Sequence, residues 1–186
     1  EGSRTSKGRA IQNLINIEQD DKVKAFICTK DLKDEDYINK HYVIMATKKG
    51  QVKKTSLEKY SRPRVNGINA ITIKEGDELL VAKLTNGESQ IMMALKSGKA
   101  IRFEEAKTRP MGRSASGVRG IRLQHDKDEV VGMVSVNDMD SNILVVSSNG
   151  YGKRSKLEDY RITNRGGKGV KTISITEKTG NLVSIK

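Results

Sequence analysis

Tryptophan is absent from this chain of 186 residues, and aromatic side chains make up only 4% of it. Any core must therefore be built from Ile, Val, Leu and Met, which strands bury well. Proline occurs only at Pro63 and Pro110, each just before a glycine loop, where a strand would end. The one cysteine, Cys28, excludes an internal disulfide framework and fits a reducing cytoplasm. Following Ala25-Phe26-Ile27, it reads as a core position on a strand. No apolar run approaches the roughly 18 residues of a membrane span, and Glu1-Gly2-Ser3-Arg4 is not a signal peptide. The two histidines, His41 and His125, lie far apart in charged turns with no cysteine pair, so no metal site is expected. No Gly-Lys-Ser/Thr follows a glycine loop, so a nucleotide P-loop is unsupported. No catalytic constellation emerges.

What is present is repetition. Glycine loops recur at Ser6–Arg9, Val65–Ile68, Ser116–Gly120 and Arg165–Gly169. Each leads into an alternating apolar run: Ala10 to Ile17, Asn69 to Ile73, Ile121 to Leu123 and Val170 to Ile175. Gly8, Gly67, Gly117 and Gly169 are 59, 50 and 52 residues apart. A second series, Lys49-Gly50, Ser97-Gly98 and Asn149-Gly150, marks hairpin turns at spacings of 48 and 52. Apolar strands precede these turns (Val43–Ala46, Ile91–Ala94, Ile143–Val146). Strands with basic residues follow (Gln51–Lys54, Lys99–Arg102, Tyr151–Arg154). Ser56–Tyr60 and Ser155–Tyr160 read as one short turn repeated, with Glu104–Lys107 as its middle copy. Acidic turns at Lys74–Glu78 and His125–Glu129 join the strands, and Gln19–Lys22 does so in the first copy. The charged stretch Asp31 to Lys40 is an insertion that explains the longest spacing. Met45, Met92, Met93 and Met133 read as strand core, and Tyr60 and Tyr160, in one phase, as packing.

Four strands in about 50 residues is the content of one propeller blade. The expectation is an all-β, propeller-like domain over 1–186, with units at 1–62, 63–110 and 111–162 and an incomplete one at 163–186. That is about 3.7 repeats. A closed ring needs more blades, so the chain is expected to be part of a larger protein.

Net charge is +12, from 35 Lys and Arg against 23 Asp and Glu. The excess is distributed: 1–62 holds 14 basic and 9 acidic residues, 63–116 holds 9 and 6, and 117–186 holds 12 and 8. Every stretch is net positive, which suggests a basic rim built blade by blade and a polyanion partner. Four residues beyond each turn glycine stand Lys54, Arg102 and Arg154, one offset and hence one sheet face. The candidate phosphate contacts are Lys7, Arg9, Lys53, Lys54, Arg62, Arg64, Arg102, Arg109, Arg113, Arg119, Arg122, Lys153, Arg154, Arg161, Arg165 and Lys168. Some could instead pair with Glu58, Glu104 or Glu158. No base-reading helix is evident, so binding through the backbone is expected. Six neutralised phosphates would cost about 10³-fold in affinity between 50 and 200 mM salt. Duplex DNA is the leading partner; RNA or an acidic protein surface is the alternative.

Ser3–Leu14, Gly50–Thr55, Met111–Arg113 through Gly117–Ile121, and Asn149–Arg154, in this order and spacing, resemble the C-terminal domain of the bacterial DNA gyrase A subunit. The internal motifs lean to gyrase over its topoisomerase IV counterpart. The resemblance covers essentially the whole chain. It implies a β-pinwheel, a disc whose blades exchange hairpins with their neighbours and whose basic edge bends duplex DNA. It implies no catalysis or cofactor here. The ATP and magnesium of the holoenzyme, and the DNA-cleaving tyrosine, would lie in the B subunit or in the rest of the A subunit. The family carries a Gln-Arg-Arg-Gly-Gly-Lys-Gly box in its first blade, associated with DNA wrapping. The nearest match here, Arg165–Gly169, falls in the last unit with Thr163-Asn164 in place of the first two residues. The resemblance places Glu1 downstream of the first blade, so the box itself is expected to be missing and wrapping to be weak.

Overall fold

A computed structural model describes residues 4–8, 10, 13, 15 and 21–186. Arg9 and most of the run from Ala10 to Ile17 lie outside the described residues. Three hairpins organise the fold: β1 (Tyr42–Thr47) with β2 (Gln51–Ser56), β4 (Gln90–Leu95) with β5 (Lys99–Glu104), and β8 (Asn142–Ser147) with β9 (Gly152–Lys156). Their turns contain Gly50, Gly98 and Gly150 at φ of +85°, +82° and +81°, the left-handed conformation that a tight turn demands of glycine.

Each hairpin gains a third strand from the chain that follows it. β3 (Leu79–Thr85) pairs with β1, β7 (Val130–Val136) with β4, and β11 (Leu182–Ile185) with β8. A fourth comes from farther on: β6 (Val118–Arg119) pairs with β2, and β10 (Val170–Lys171) with β5. The sheets run β3-β1-β2-β6, β10-β5-β4-β7 and β11-β8-β9, all pairings within them antiparallel.

This corrects the expectation that four consecutive strands make one blade. The sheet of β1 and β2 draws on three successive sequence repeats. An open hairpin edge exposes a row of unpaired N–H and C=O groups, and a short strand two repeats on fills that row. The apolar runs after the glycine loops are correspondingly brief: 69–73 and 121–123 are not strands, and only Val170–Lys171 of 170–175 is.

The sheets stack through their faces. On β4, Ile91, Met93 and Leu95 point into a cluster with Ile44, Ala46 and Val52 of the first sheet. Met92 and Ala94 point the other way, onto Ile143, Val145, Leu182 and Ile185 of the third. Both faces of the middle sheet are therefore covered, which is why β4 reads Ile-Met-Met-Ala-Leu without polar alternation. Val43, Met45 and Leu57 form a third cluster on the outer face of the first sheet.

The insertion contains a short helix, α1 (Glu35–Lys40), capped by the Asp34 carboxylate, which accepts from the Tyr37 N–H at 3.1 Å. Cys28 is exposed, not core: alternation turns Ala25 and Ile27 towards the third cluster and Phe26 and Cys28 outwards. The four core methionines are buried as expected. The repeated short turns are single 3-10 turns at Leu57–Tyr60, Glu105–Lys107 and Leu157–Asp159, without a side-chain cap.

Candidate nucleic-acid interface

The outer strand of each of the first two sheets is interrupted by an excursion. Pro110 bridges to Lys54 and Val118 pairs with Val52, so the chain between them bulges outward from the edge of β2. Ile162 bridges to Arg102 and Val170 pairs with Ala100, giving the same bulge beside β5. Gly117 and Gly169, at φ +90° and +72°, bring the chain back. A Cβ on them would lie 2.7 Å from the Val52 carbonyl oxygen and 2.6 Å from that of Ala100. The recurring glycine therefore allows one backbone to lie on another. Loop 61–69 occupies the same repeat phase ahead of these two.

The excursions and their flanks carry Arg62, Arg64, Arg109, Arg119, Arg161 and Lys168, all exposed, and the half-buried Arg113 and Arg165. Lys7, Arg122, Lys153 and Arg154 are also exposed, although the Lys153 Nζ donates to the Thr172 carbonyl at 3.2 Å.

Three expected rim cations are inside the protein instead. Lys53 is 0% exposed, Lys54 4% and Arg102 8%. Lys54 lies over the Tyr42 ring, 4.8 Å from its centroid, donates to the Glu105 carbonyl at 3.3 Å, and stands 3.8 Å from the Glu105 carboxylate. Burial lowers its pKa; Glu105 acts in the opposite direction. Glu105 is itself fully buried, accepting from the Thr85 hydroxyl at 2.7 Å and the Ser89 N–H at 3.3 Å. Arg102 donates through one terminal nitrogen to the carbonyls of Leu157 (2.7 Å) and Tyr160 (2.9 Å), and through Nε to Gln90 (2.6 Å). Burial lowers its pKa too. Both side chains do one job: each reaches from its own hairpin to the 3-10 turn of the following blade. The in-phase basic series is thus a packing device at these two blades, and only its third member, Arg154, faces solvent.

Arg165–Gly169 is also largely occupied with the joint. Arg165 donates through Nε to the Lys107 carbonyl (3.0 Å) and through a terminal nitrogen to that of Arg119 (3.1 Å). Gly166 N–H donates to the Gly120 carbonyl at 2.6 Å, and the Gly167 carbonyl accepts from Arg122 N–H at 2.8 Å. These bonds sew the second excursion to the first blade's edge. Lys168 remains exposed.

The earlier joint, between loops 61–69 and 109–117, is looser. Thr72 ties it by bonds to Ala115 (3.3 Å) and Ser114 (2.6 Å). Above lies a basic groove of about 390 Å³ lined by Arg64, Asn69, Arg113 and Ser114. It continues into one of about 590 Å³ along Lys59, Arg62 and Arg64. The acid there, Glu58, is paired with Lys59 at 2.9 Å. Lys59 escaped the sequence reading, yet the residue in its phase, Lys107, repeats it. Beneath the groove Lys53 donates at 2.5 Å to the carbonyls of Ala70, just past the first loop, and of Arg113, on the second. Burial, with Arg113 adding to it, holds the Lys53 pKa down to about 8.

Elsewhere, acidic turns clasp the hairpin tips. Asp77 accepts from the Lys49 N–H (2.8 Å) and Asp128 from that of Ser97 (3.1 Å). Tyr60 donates to the Ala70 carbonyl (3.2 Å), and Tyr160 bonds Thr172, so both tyrosines hold the next stretch of chain. His41 stacks on Tyr37, with centroids 4.1 Å apart, and His125 is exposed. Among the described residues no cluster of three or more His, Cys, Asp or Glu could hold a metal, and no helix is long and apolar enough to cross a membrane.

Comparison with known proteins agrees with this geometry. The family model described as "DNA gyrase C-terminal domain, beta-propeller" matches residues 1–30, 41–86, 90–137 and 141–186, leaving out only the α1 insertion and two short connections. The chain is 46% identical over 185 residues to the DNA gyrase A subunit of Staphylococcus aureus, which is 98% of this chain and 20% of that protein. It therefore spans about a fifth of the length of the curated relatives it matches. Among solved structures, the C-terminal domain of DNA topoisomerase IV superposes with a TM-score of 0.85 at 25% identity, over 96% of this chain and 54% of that one. A DNA gyrase A C-terminal domain superposes with a TM-score of 0.81 at 24% identity, over 97% and 58%. Stacked blades closed by strands from later repeats, and a family match along nearly the whole length, make this chain a member of the DNA gyrase C-terminal domain family.

Proposed function

We propose that this chain is a non-catalytic module that binds and bends duplex DNA for a gyrase-type topoisomerase. It would hold DNA for ATP-dependent supercoiling by the whole enzyme, with ATP on the B subunit, the cleavage tyrosine lying elsewhere in the A subunit. The observation that carries the proposal is the series of cations on consecutive loops: Arg62 and Arg64, then Arg109 and the half-buried Arg113, then Arg161 and Lys168, all exposed but Arg113. Cations spaced along an edge meet phosphates without reading bases. Bending a duplex by tens of degrees costs on the order of 1–6 kcal/mol, which distributed phosphate contacts offset. Kinship with the gyrase protein of Staphylococcus aureus supports the same reading.

With Lys53, Lys54 and Arg102 buried and Arg165 tied to carbonyls, the six loop cations set the count at about six phosphates neutralised, and duplex affinity should fall on the order of 10³-fold between 50 and 200 mM salt. Fluorescence anisotropy with a labelled 30-base-pair duplex, beside RNA and heparin competitors, checks this. A flat salt response, or a clear preference for RNA, overturns the proposal. Ligating nicked circles with the protein bound adds a topological readout. Because the Arg165–Gly169 stretch is spent on the blade joint, little change in linking number is expected, and a full wrap per protein would contradict that.

A further inference from the structure

Lys53 stands alone among its repeat equivalents. The residue three beyond the second turn glycine is Ile101, buried in apolar packing, and the one beyond the third is Lys153, exposed and bonded to a single carbonyl. Lys53 is fully buried, yet no carboxylate lies within ion-pair distance of it among the described residues. Its partners are the carbonyls of Arg113, which lines the groove with Arg64, Asn69 and Ser114, and of Ala70, the residue after the groove-lining Asn69. An ammonium has three donors, and this one has two acceptors among the described residues. The charged and titratable groups around it are Arg113 on one loop, Arg64 across the groove on the other, and Tyr60, whose hydroxyl shares the Ala70 carbonyl. On the sheet its register neighbour is Met45, and the Gly117 backbone covers its stem. An anion is what this surrounding lacks.

We propose that the groove between loops 61–69 and 109–117 seats a phosphate of the duplex, and that its occupation draws a proton onto the buried Lys53 beneath it. The proposal rests on the DNA-binding reading above and adds a linkage to it. In the free protein burial and Arg113 hold Lys53 near 8, so the amine loses its proton as pH rises past that value. A phosphate one residue away favours the charged form and raises the pKa. The bound state then holds more protons than the free state between about pH 7.5 and 9.5, and affinity must fall as pH rises through that window. A rise of about one unit on binding corresponds to a loss of about six-fold in affinity from pH 7.5 to 9.5.

The test measures duplex affinity at fixed ionic strength across that range, for the protein and for Lys53→Met, Arg64→Gln and Cys28→Ser, the last as a control for the exposed thiol. Titration calorimetry at pH 8.5 in two buffers of different ionisation enthalpy counts the protons directly and needs no variant. We expect the six-fold loss and net proton uptake in the protein and in Cys28→Ser. Lys53→Met should bind with no pH slope, and Arg64→Gln, which removes one of the phosphate-contacting cations, should bind several-fold more weakly with the uptake lost. Binding without uptake, a slope that survives Lys53→Met, or uptake that survives Arg64→Gln each overturns the linkage. Absence of duplex binding at pH 7.5 and low salt would instead overturn the underlying DNA-binding reading, and the linkage with it.

Discussion

Replacing Lys54 by Met is expected to cost about 4 kcal/mol of folding stability. Removing one partner of a buried ion pair strands the other in a low-dielectric interior, typically at 3–5 kcal/mol. In the variant the Glu105 carboxylate would keep only the Thr85 hydroxyl and the Ser89 N–H. The sequence itself suggests the repair. The residues in phase with Glu105 are Leu57 and Leu157, both buried in apolar clusters. Lys54→Met combined with Glu105→Leu should therefore recover most of the loss, because an apolar pair of similar volume is often neutral or better in such a place. Urea unfolding of the two single variants and the double gives the coupling energy. Additive losses in the double variant would show that the pair is not the cause.

Substituting Ala for Gly98 should be about as damaging, and Gly150 is its internal control. Both occupy the same place in a hairpin turn, at φ +82° and +81°. An alanine there suffers roughly 1–2 kcal/mol of left-handed strain at either position. At Gly150 nothing among the described residues lies within 4 Å of the added Cβ. At Gly98 the Cβ would sit 2.5 Å from the Ile173 carbonyl oxygen and 2.9 Å from the Ile175 side chain, while the Gly98 carbonyl accepts from Thr172 at 2.9 Å. The chain after β10 would have to lift off the turn. We expect about 4 kcal/mol for Gly98→Ala against about 1.5 for Gly150→Ala, a gap that displaces the thermal midpoint by roughly 5–10 °C. Equal midpoints for the two variants would refute the close-approach argument.

The hairpins are legible in the sequence because a tight turn needs positive φ, and glycine announces it. The burial of β4 is legible because a sheet covered on both faces loses its polar alternation. Lys54 and Arg102 show where such reading stops. Their regular spacing suggests a rim, but a packing contact repeats with the same period as a binding one. What distinguishes them is the acceptor, a backbone carbonyl on the next blade, and a carbonyl leaves no trace in a sequence. The resemblance of Arg165–Gly169 to a DNA-wrapping box has the same limit: Arg165 turns towards the Lys107 and Arg119 carbonyls rather than away from them. The groove over Lys53 is equally hidden, since it exists only where two loops 49 residues apart, at Arg64 and Arg113, come together. Cys28 faces solvent against expectation because alternation identifies two faces without saying which one is covered.

Sheets that borrow strands from later repeats bear on how the chain is made. Val52 pairs with Val118, and Ala100 with Val170. At about 5–20 residues per second, the edge of β2 would wait roughly 3–13 s on the ribosome before its partner is synthesised. The first two sheets are thus finished only when a much later part of the chain arrives, and neither can mature as its own residues emerge. Excising a single repeat from the middle would break several sheets at once, so a gene encoding this array could not lose one repeat cleanly and leave the others intact.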